Sequence, residues 1–522
     1  MTEKGRITKA ATKVGFFTFV SRVLGYIRDA GIAFIFGAGF ASDAFFVAFR
    51  IANLLRRLVG EGAITHAFVP VFTEIKEKRG TEEASLFVRR FFTIFFVILV
   101  GLATAGIVFS DRIVALLAPG FEAVEGKFEL TVSLARIMFP YMVFIGLMAA
   151  SMGVLNSMRH FTMPALSPVF FNLSLIGATF LAAPLLREPA YALAYGVVFG
   201  GLLQFGTQLP VLKRYGMFPY PPLFDLRDPE LRRIFRLIAP AVVSIGIYQL
   251  NIFVTMRFAS LLPEGSVSYL YYASRLVELP IGVFGVAFTQ AALPTLSGYA
   301  VGTDRQGFLS SLSFSIRMIN FVNIPATVGL MVLATPLVDT LFARGQFTLQ
   351  DTRLTVYALL FYALGIVPVS VARLMATAFY SMKDSTTPVV AGILSFVANI
   401  GFCVLLIEPL SHGGLALATT LASVVNLGVL AVVLRRRLGR MGITRMLSSA
   451  LKSSGAAIVM GGLVWVTGTL LYSPEATLLV KLVVLLFMVL AGVGAYMGAA
   501  SLMGMEEFSH LKELVRNRGS RK

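Results

Sequence analysis

Long apolar segments recur along the whole chain of 522 residues and constrain its fold more than any other feature. A helix needs about 20 mostly apolar residues to cross the hydrocarbon core of a membrane. Hydrophobic residues make up 57% of the chain and charged residues only 14%, so a soluble fold would expose far more apolar surface than monomers tolerate. This excludes a soluble enzyme, a disordered chain and a coiled coil. We predict an all-α polytopic membrane protein with about fourteen transmembrane helices, at residues 14–36, 41–74, 91–110, 130–157, 163–183, 190–212, 237–262, 266–297, 310–338, 354–381, 386–407, 413–434, 453–472 and 476–504.

The charge distribution predicts the orientation of the chain. The 45 Lys and Arg exceed the 27 Asp and Glu, which gives a net charge of +18. If the N-terminus is cytoplasmic, 29 basic residues lie in cytoplasmic segments and 5 in the opposite loops. Cytoplasmic loops show this enrichment in membrane proteins, so we expect both termini in the cytoplasm. The basic blocks 232–233 and 435–437 then indicate contacts with anionic membrane lipids, and no nucleic acid is expected.

Cysteine and histidine are too sparse for redox or metal chemistry. Cys403 is the single cysteine, and the four histidines are scattered without metal-ligand spacing. We therefore expect no metal and no cofactor.

An internal repeat divides the chain. Ser157-Met158-Arg159 with Thr162 and Pro164 reappears as Ser381-Met382-Lys383 with Thr386 and Pro388, at an offset of 224 residues, and Gly120 and Gly345 match at 225. The offset equals six predicted spans, which indicates two parallel six-helix lobes, a transporter design with its site between the lobes. The expected domains are an N-terminal lobe at 1–215, a basic cytoplasmic linker at 216–236, a C-terminal lobe at 237–437, an extra helix pair at 438–504 and a cytoplasmic tail at 505–522.

Charged residues inside the predicted spans point to function. Asp43, Arg50, Asn53, Arg57 and Glu61 share one stripe about 80° wide on a helical wheel, and Arg56 flanks it. Ser21 and Arg28 share a face of the first span, as do Arg22 and Asp29, while Arg275 and Glu278 lie one turn apart in the eighth. Internal salt bridges such as Arg28–Asp43 or Arg275–Glu278 are the structural alternative. They do not account for every charge, because the residues named here comprise six arginines and only four acids.

A surplus of arginine in a hydrated cavity indicates an anionic substrate. The planar guanidinium suits phosphate and carboxylate, so a phosphate-bearing cargo is favoured, and an exporter of cationic drugs would need the opposite sign. An enzyme acting on the same lipids would need clustered acids for metal or base chemistry, and Glu122, Glu125 and Glu129 have no histidine or Asp pair nearby.

Two long motifs carry a resemblance to a known family. The first runs from Ser21 to Ala30 (SRVLGYIRDA) and continues through 37–49, 53–57, 61–63 and 67–70; the second is Tyr271 to Glu278 (YYASRLVE). Both resemble the MurJ (MviN) lipid II flippases of the multidrug/oligosaccharidyl-lipid/polysaccharide exporter superfamily. The resemblance covers essentially the whole chain.

The resemblance implies a flippase of the bacterial inner membrane, functional as a monomer, that carries lipid II (undecaprenyl-diphosphate-MurNAc-pentapeptide-GlcNAc) to the outer leaflet by alternating access. An exporter of another polyprenyl-diphosphate-linked oligosaccharide, such as an O-antigen unit, is the alternative. The extra helix pair would hold the lipid tail. The residues that it implies for substrate binding or transport are Ser21, Arg22, Arg28, Asn53, Arg56 and Arg275, with Asp43, Glu61 and Glu278 as gating or charge partners. The span patterns add Asp29 as a charge partner and Arg50 and Arg57 as further candidates.

Two positions depart from the family pattern. The helical wheel favours Arg57 as the cavity-facing residue, whereas the family favours Arg56, and a bend at Gly60 or Gly62 would rotate the register. Some family members resemble sodium-coupled transporters with an Asn and a carboxylate one turn apart in the C-terminal lobe. Here Asn399 is followed at i+4 by Cys403, a poor sodium ligand.

Overall fold

The structure is a computed structural model that describes residues 3–54, 63–302, 304–439 and 442–519, and these ranges contain helices and no strand. The prediction of an all-α polytopic fold is confirmed. The helices of the first half are α1 (Glu3–Phe36), α2 (Phe40–Ala52), α3 (Ala63–Val108), α4 (Ser110–Leu117), α5 (Lys127–Met138), α6 (Tyr141–Ser157), α7 (Thr162–Gly177), α8 (Ala190–Gly206), α9 (Leu209–Arg214) and α10 (Pro229–Ser260). Those of the second half are α11 (Ser266–Pro280), α12 (Val286–Val301), α13 (Arg305–Val332), α14 (Ala334–Phe342), α15 (Leu349–Ala363), α16 (Ile366–Ser381), α17 (Thr386–Leu438), α18 (Ile443–Leu471), α19 (Leu478–Leu502) and α20 (Glu506–Gly519).

Ten helical segments of the described chain are long and apolar enough to cross a membrane. Helix α17 counts as one of them, although its backbone leaves helical geometry at Ser411 (φ 51°, ψ −134°), between two predicted spans. The first predicted span falls on α1, where Arg22, Arg28 and Asp29 interrupt the apolar sequence. The exact number of fourteen spans stays a prediction.

The chain divides into two compact units. The first comprises residues 1–268 and 344–347, and the second comprises 269–343 and 348–522. Stacked phenylalanines of α3, Phe68, Phe72, Phe87 and Phe91, lie in the core of the first unit. The second unit has one apolar core around α12, α13 and α16, and another where α18 and α19 pack on α13.

The internal repeat is visible in the helix boundaries. Helices α6 and α16 end at Ser157 and Ser381, and α7 and α17 begin at Thr162 and Thr386, at the offset of 224 residues found in the sequence. Both connecting turns use a left-handed residue that is not glycine, Arg159 (φ 58°) and Lys383 (φ 59°). Such residues are uncommon, so their recurrence at matching positions is a structural signature of the repeat.

Gly120 and Gly345, a repeat-related pair, permit two close backbone contacts in the first unit. A Cβ at Gly120 would lie 2.1 Å from the carbonyl oxygen of Ser260 at the end of α10, and one at Gly345 would lie 2.2 Å from that of Phe34 in α1. Gly345 also has a φ of +62°. Each loop thus packs on the first helix of the other repeat, at a distance that only glycine allows.

Candidate functional site

Arg28 of α1 lies at the centre of a buried polar network in the first unit. Its Nε and Nη2 donate to Asp29 Oδ1 at 2.9 and 2.7 Å, and its Nη1 donates to Asn172 Oδ1 at 3.0 Å. The exposed fractions of Arg28 and Asp29 are only 6% and 1%, and the guanidinium lies 6.0 Å from the centroid of the Phe171 ring. The charge of Arg28 is therefore neutralised locally, by Asp29 and not by the Asp43 considered from the sequence.

Asn172 of α7 connects Arg28 to Ser21, which lies two turns away on the same face of α1. Its Nδ2 donates to the carbonyl oxygen of Ser21 at 2.9 Å and lies 3.4 Å from the Ser21 hydroxyl. Sequence reasoning did not identify Asn172. The available signal was an amide side chain in the middle of an apolar predicted span, but nothing in the sequence indicated which helix it faces.

Arg22 differs from Arg28 because its side chain is exposed. It makes no hydrogen bond or ion pair with the residues that the structure describes. Arg50 and Asn53, at the end of α2, are half-buried. Arg56, Arg57 and Glu61 lie outside the described residues. Which of Arg56 and Arg57 faces the cavity therefore stays a prediction.

Asp43 of α2 binds the start of α11 in the first unit. Its Oδ1 accepts from the backbone N of Ser268 at 2.9 Å and from the Ser268 hydroxyl at 2.6 Å, and its Oδ2 accepts from the backbone N of Gly265 at 2.8 Å. The Oδ2 atom also accepts from Nζ of Lys127 at 2.9 Å. A carboxylate is favoured at this position because the N-terminus of a helix carries free N–H groups and a partial positive charge.

Lys127 is the second functional candidate that sequence reasoning missed, because it falls in the loop between the predicted spans 91–110 and 130–157. Its exposed fraction is 1%, and its Nζ lies 4.5 Å from the centroid of the Phe121 ring and 5.9 Å from that of Phe40. Its position just after Gly126, at the N-terminus of α5, is not a pattern that predicts burial.

Arg275 and Glu278 of α11, in the second unit, form the ion pair that their spacing suggested. Nη1 of Arg275 lies 2.9 Å from Glu278 Oε2, and the side chains are 31% and 49% exposed. The Arg275 guanidinium also lies 5.8 Å from the centroid of the Tyr271 ring. Both charges are thus accessible, in contrast to the buried Arg28–Asp29 pair.

The described residues contain no group of three or more His, Cys, Asp or Glu that would hold a metal ion. Asn399 and Cys403 lie together in α17, with Sγ 3.9 Å from Asn399 Oδ1. No carboxylate adds to this pair in the described hydrogen bonds.

Comparisons with known proteins identify the family. The family described as "Lipid II flippase MurJ" matches residues 32–489. The chain is 34% identical to a probable lipid II flippase MurJ of Vibrio cholerae over 97% of its own length and 98% of the relative's. It is 36% identical to the lipid II flippase MurJ of Burkholderia cenocepacia over 87% and 89%.

Solved structures agree with this assignment. A lipid II flippase MurJ in an inward closed conformation is 27% identical, with a TM-score of 0.78 over 94% of this chain and 98% of that one. An inward-facing multidrug resistance MATE transporter of the MOP superfamily shares the fold at 17% identity, with a TM-score of 0.68 over 81% and 96%. The chain belongs to the MurJ family of lipid II flippases.

Proposed function

We propose that this chain is a multi-pass inner-membrane transporter that moves lipid II from the inner to the outer leaflet. Membership of the MurJ family across residues 32–489 supports the cargo, and the long apolar helices support the membrane location. Both termini are cytoplasmic in this proposal, as the 29-to-5 distribution of basic residues favours.

The exposed guanidinium of Arg22 is the observation that carries the proposed binding chemistry. Asp29 neutralises Arg28, and Asp43 is occupied by Lys127 and the start of α11, so neither acid is available to Arg22. A diphosphate accepts two parallel hydrogen bonds from a guanidinium, and such charge-assisted bonds are stronger than neutral ones. In the second unit, the guanidinium of Arg275 is 31% exposed although it is paired with Glu278, and in this proposal it binds an anionic group of the cargo from its exposed side.

Transport proceeds by alternating access in this proposal, in a monomer. The membrane potential favours outward movement of an anionic head group by about 2.3 kcal/mol per charge per 100 mV. Helices α18 and α19 hold the lipid tail, which their exposed apolar side chains permit; Leu470 and Leu479 are 76% and 73% exposed.

Complementation tests the proposed cargo. Cells depleted of their own flippase would receive this chain, and lipid II on the outer face would be measured with an impermeant probe. We expect exposure of lipid II to be restored. Restored export of an O-antigen unit without lipid II exposure would instead support the alternative, a related exporter of another polyprenyl-diphosphate glycan.

A further inference from the structure

Two basic residues in the apolar helices of the second unit play no part in the proposed site. Lys481 of α19 and Arg317 of α13 have side chains that are only 12% and 13% exposed. A charge within a membrane span costs about 2.5–3.5 kcal/mol even on insertion scales. Lys481 lies in the first turn of α19, where a long side chain can extend to the membrane surface, but the structure places it in a buried ion pair.

Lys481 joins α19 to α14 at one end of the terminal helix pair, α18 and α19. Its Nζ lies 2.7 Å from Asp339 Oδ2, and the Asp339 side chain is 6% exposed. The hydroxyl of Tyr472, the residue after α18, donates to the same carboxylate oxygen. Asp339 therefore binds both members of the pair, and we call these three residues the first clasp.

Arg317 joins α13 to the residues that follow α19, at the other end of the pair. Its Nη1 lies 2.9 Å from Glu507 Oε1 and 2.6 Å from Glu506 Oε2. The buried Glu507 also accepts from the hydroxyl of Ser449 in α18, at 2.9 Å. The Arg317 guanidinium holds the pKa of Glu506 below its ordinary value. Arg317, Glu506, Glu507 and Ser449 form the second clasp.

Between the clasps the helices are in close contact. The hydroxyl of Tyr496 in α19 donates to the carbonyl oxygen of Phe321 in α13 at 2.7 Å. A Cβ at Gly461 of α18 would lie 2.9 Å from Val328 Cγ1 of α13. Small residues permit such close packing of membrane helices, but apolar packing in lipid provides little restraint on sliding, because lipid tails compete equally well for apolar surfaces.

We propose that the two clasps fix the terminal helix pair to α13 and α14, so that the pair moves with the second unit as one body. Lys481 and Arg317 are positioning residues, and each acts through a carboxylate on another helix. Breaking a buried ion pair leaves its partner uncompensated, so loss of either clasp frees the corresponding end of the pair. This proposal concerns the protein alone and does not depend on the cargo.

Spin-label distances test the proposal on the full chain in lipid nanodiscs, in a Cys403→Ala background. Labels at Thr335 and Thr469, both exposed, report on the first clasp, and labels at the exposed Ser310 and Ser448 report on the second. We expect Lys481→Met to lengthen and broaden the 335–469 distance and Arg317→Met to do so for 310–448. Arg353→Met, which removes an exposed charge from α15, is the matched control and keeps both distances.

Rescue separates a positioning role from a merely structural one. The exchange Asp339→Lys with Lys481→Asp restores the pair with reversed charges, and Lys481→Arg retains the charge. We expect both variants to keep the wild-type 335–469 distance. These two variants test the proposal even if Lys481→Met does not fold. Narrow wild-type distances in Lys481→Met and Arg317→Met, or broadened distances in the folded exchange variant, would overturn the proposal.

Discussion

Asp43 Oδ2 lies 2.9 Å from Nζ of Lys127, and the two side chains, 84 positions apart in the chain, are each 2% exposed. The same carboxylate binds two backbone N–H groups and a hydroxyl at the start of α11. The pair thus connects three helices of the first unit, α2, α5 and the beginning of α11. Lys127, which falls in a predicted loop, is thus one of the most buried charged residues that the structure describes.

Lys127→Met should destabilise the first unit strongly. Removal of one partner from a buried ion pair typically costs about 3–5 kcal/mol, because the remaining charge is uncompensated. Thermal unfolding of the purified protein in detergent measures the loss. Arg112→Met, at an exposed position, is the control and should leave the melting temperature unchanged. Addition of Asp43→Asn to Lys127→Met should recover part of the loss, and a larger loss in the double variant would contradict an ion-pair role.

Substitutions at Asn172 separate its two hydrogen-bonding functions. Asn172→Asp keeps an acceptor for Arg28 and loses the donor to Ser21, whereas Asn172→Leu loses both. Each lost bond to a charged or buried partner costs about 1–3 kcal/mol, so we expect transport to fall further in Asn172→Leu than in Asn172→Asp. Lipid II exposure at matched expression measures the difference. Full activity of Asn172→Leu would show that the orientation of Arg28 does not depend on Asn172.

Gly120→Ala and Gly345→Ala should both destabilise the protein. Each Cβ would lie within 2.2 Å of a backbone carbonyl oxygen, which cannot move without its helix. Gly101→Ala is the matched control, since nothing lies within 4 Å of its Cβ, and alanine is favoured over glycine in a helix by up to about 1 kcal/mol. Melting temperatures and yields of monodisperse protein give the comparison. Equal stability of Gly120→Ala and Gly101→Ala would exclude the close contact with Ser260.

Asp384, in the turn before α17, predicts a pH-dependent contribution to stability. Its pKa lies below the ordinary value of 3.8, first because the Thr387 hydroxyl and backbone N donate to it and further because of Arg437. A carboxyl group with a lowered pKa stabilises the folded state fully above its unfolded pKa and loses this effect as the pH falls through the folded pKa. Asp384→Ala should therefore cost about 1 kcal/mol, as for a lost helix cap, from neutral pH down to the ordinary carboxyl pKa. Unfolding curves of both proteins should converge in more acidic buffer, and a constant difference down to the lowest pH would contradict this account.

The fold could largely be predicted from the sequence because membrane helices can be recognised by the length and the apolar composition of their segments. The 224-residue repeat aligned Arg159 with Lys383, and the structure has matching left-handed turns at these two positions. The ion pair Arg275–Glu278 followed from a spacing of one helical turn. These features depend on local sequence or on its repetition.

The partners that Arg28, Asp43 and Lys481 have on other helices could not be predicted in the same way. Each lies on another helix, and a helical wheel indicates a face of one helix but not the neighbour that the face meets. Asn172, Lys127 and Asp339 therefore emerged only from the packing. Counting charges was informative, because Asp29 pairs with Arg28 and Asp43 pairs with Lys127. Neither acid is left to neutralise the exposed Arg22.

Translocation of purified lipid II across vesicles containing this chain tests the central claim most directly. The rate would be compared for the wild type, Arg22→Gln, Arg275→Gln and the exposed control Arg112→Gln. Loss of a charge-assisted contact of about 1.5–3 kcal/mol corresponds to roughly a tenfold or greater loss of affinity. We predict such a loss at limiting lipid II for Arg22→Gln and Arg275→Gln, and a wild-type rate for Arg112→Gln. Equal rates in all four proteins would contradict an arginine-based flippase.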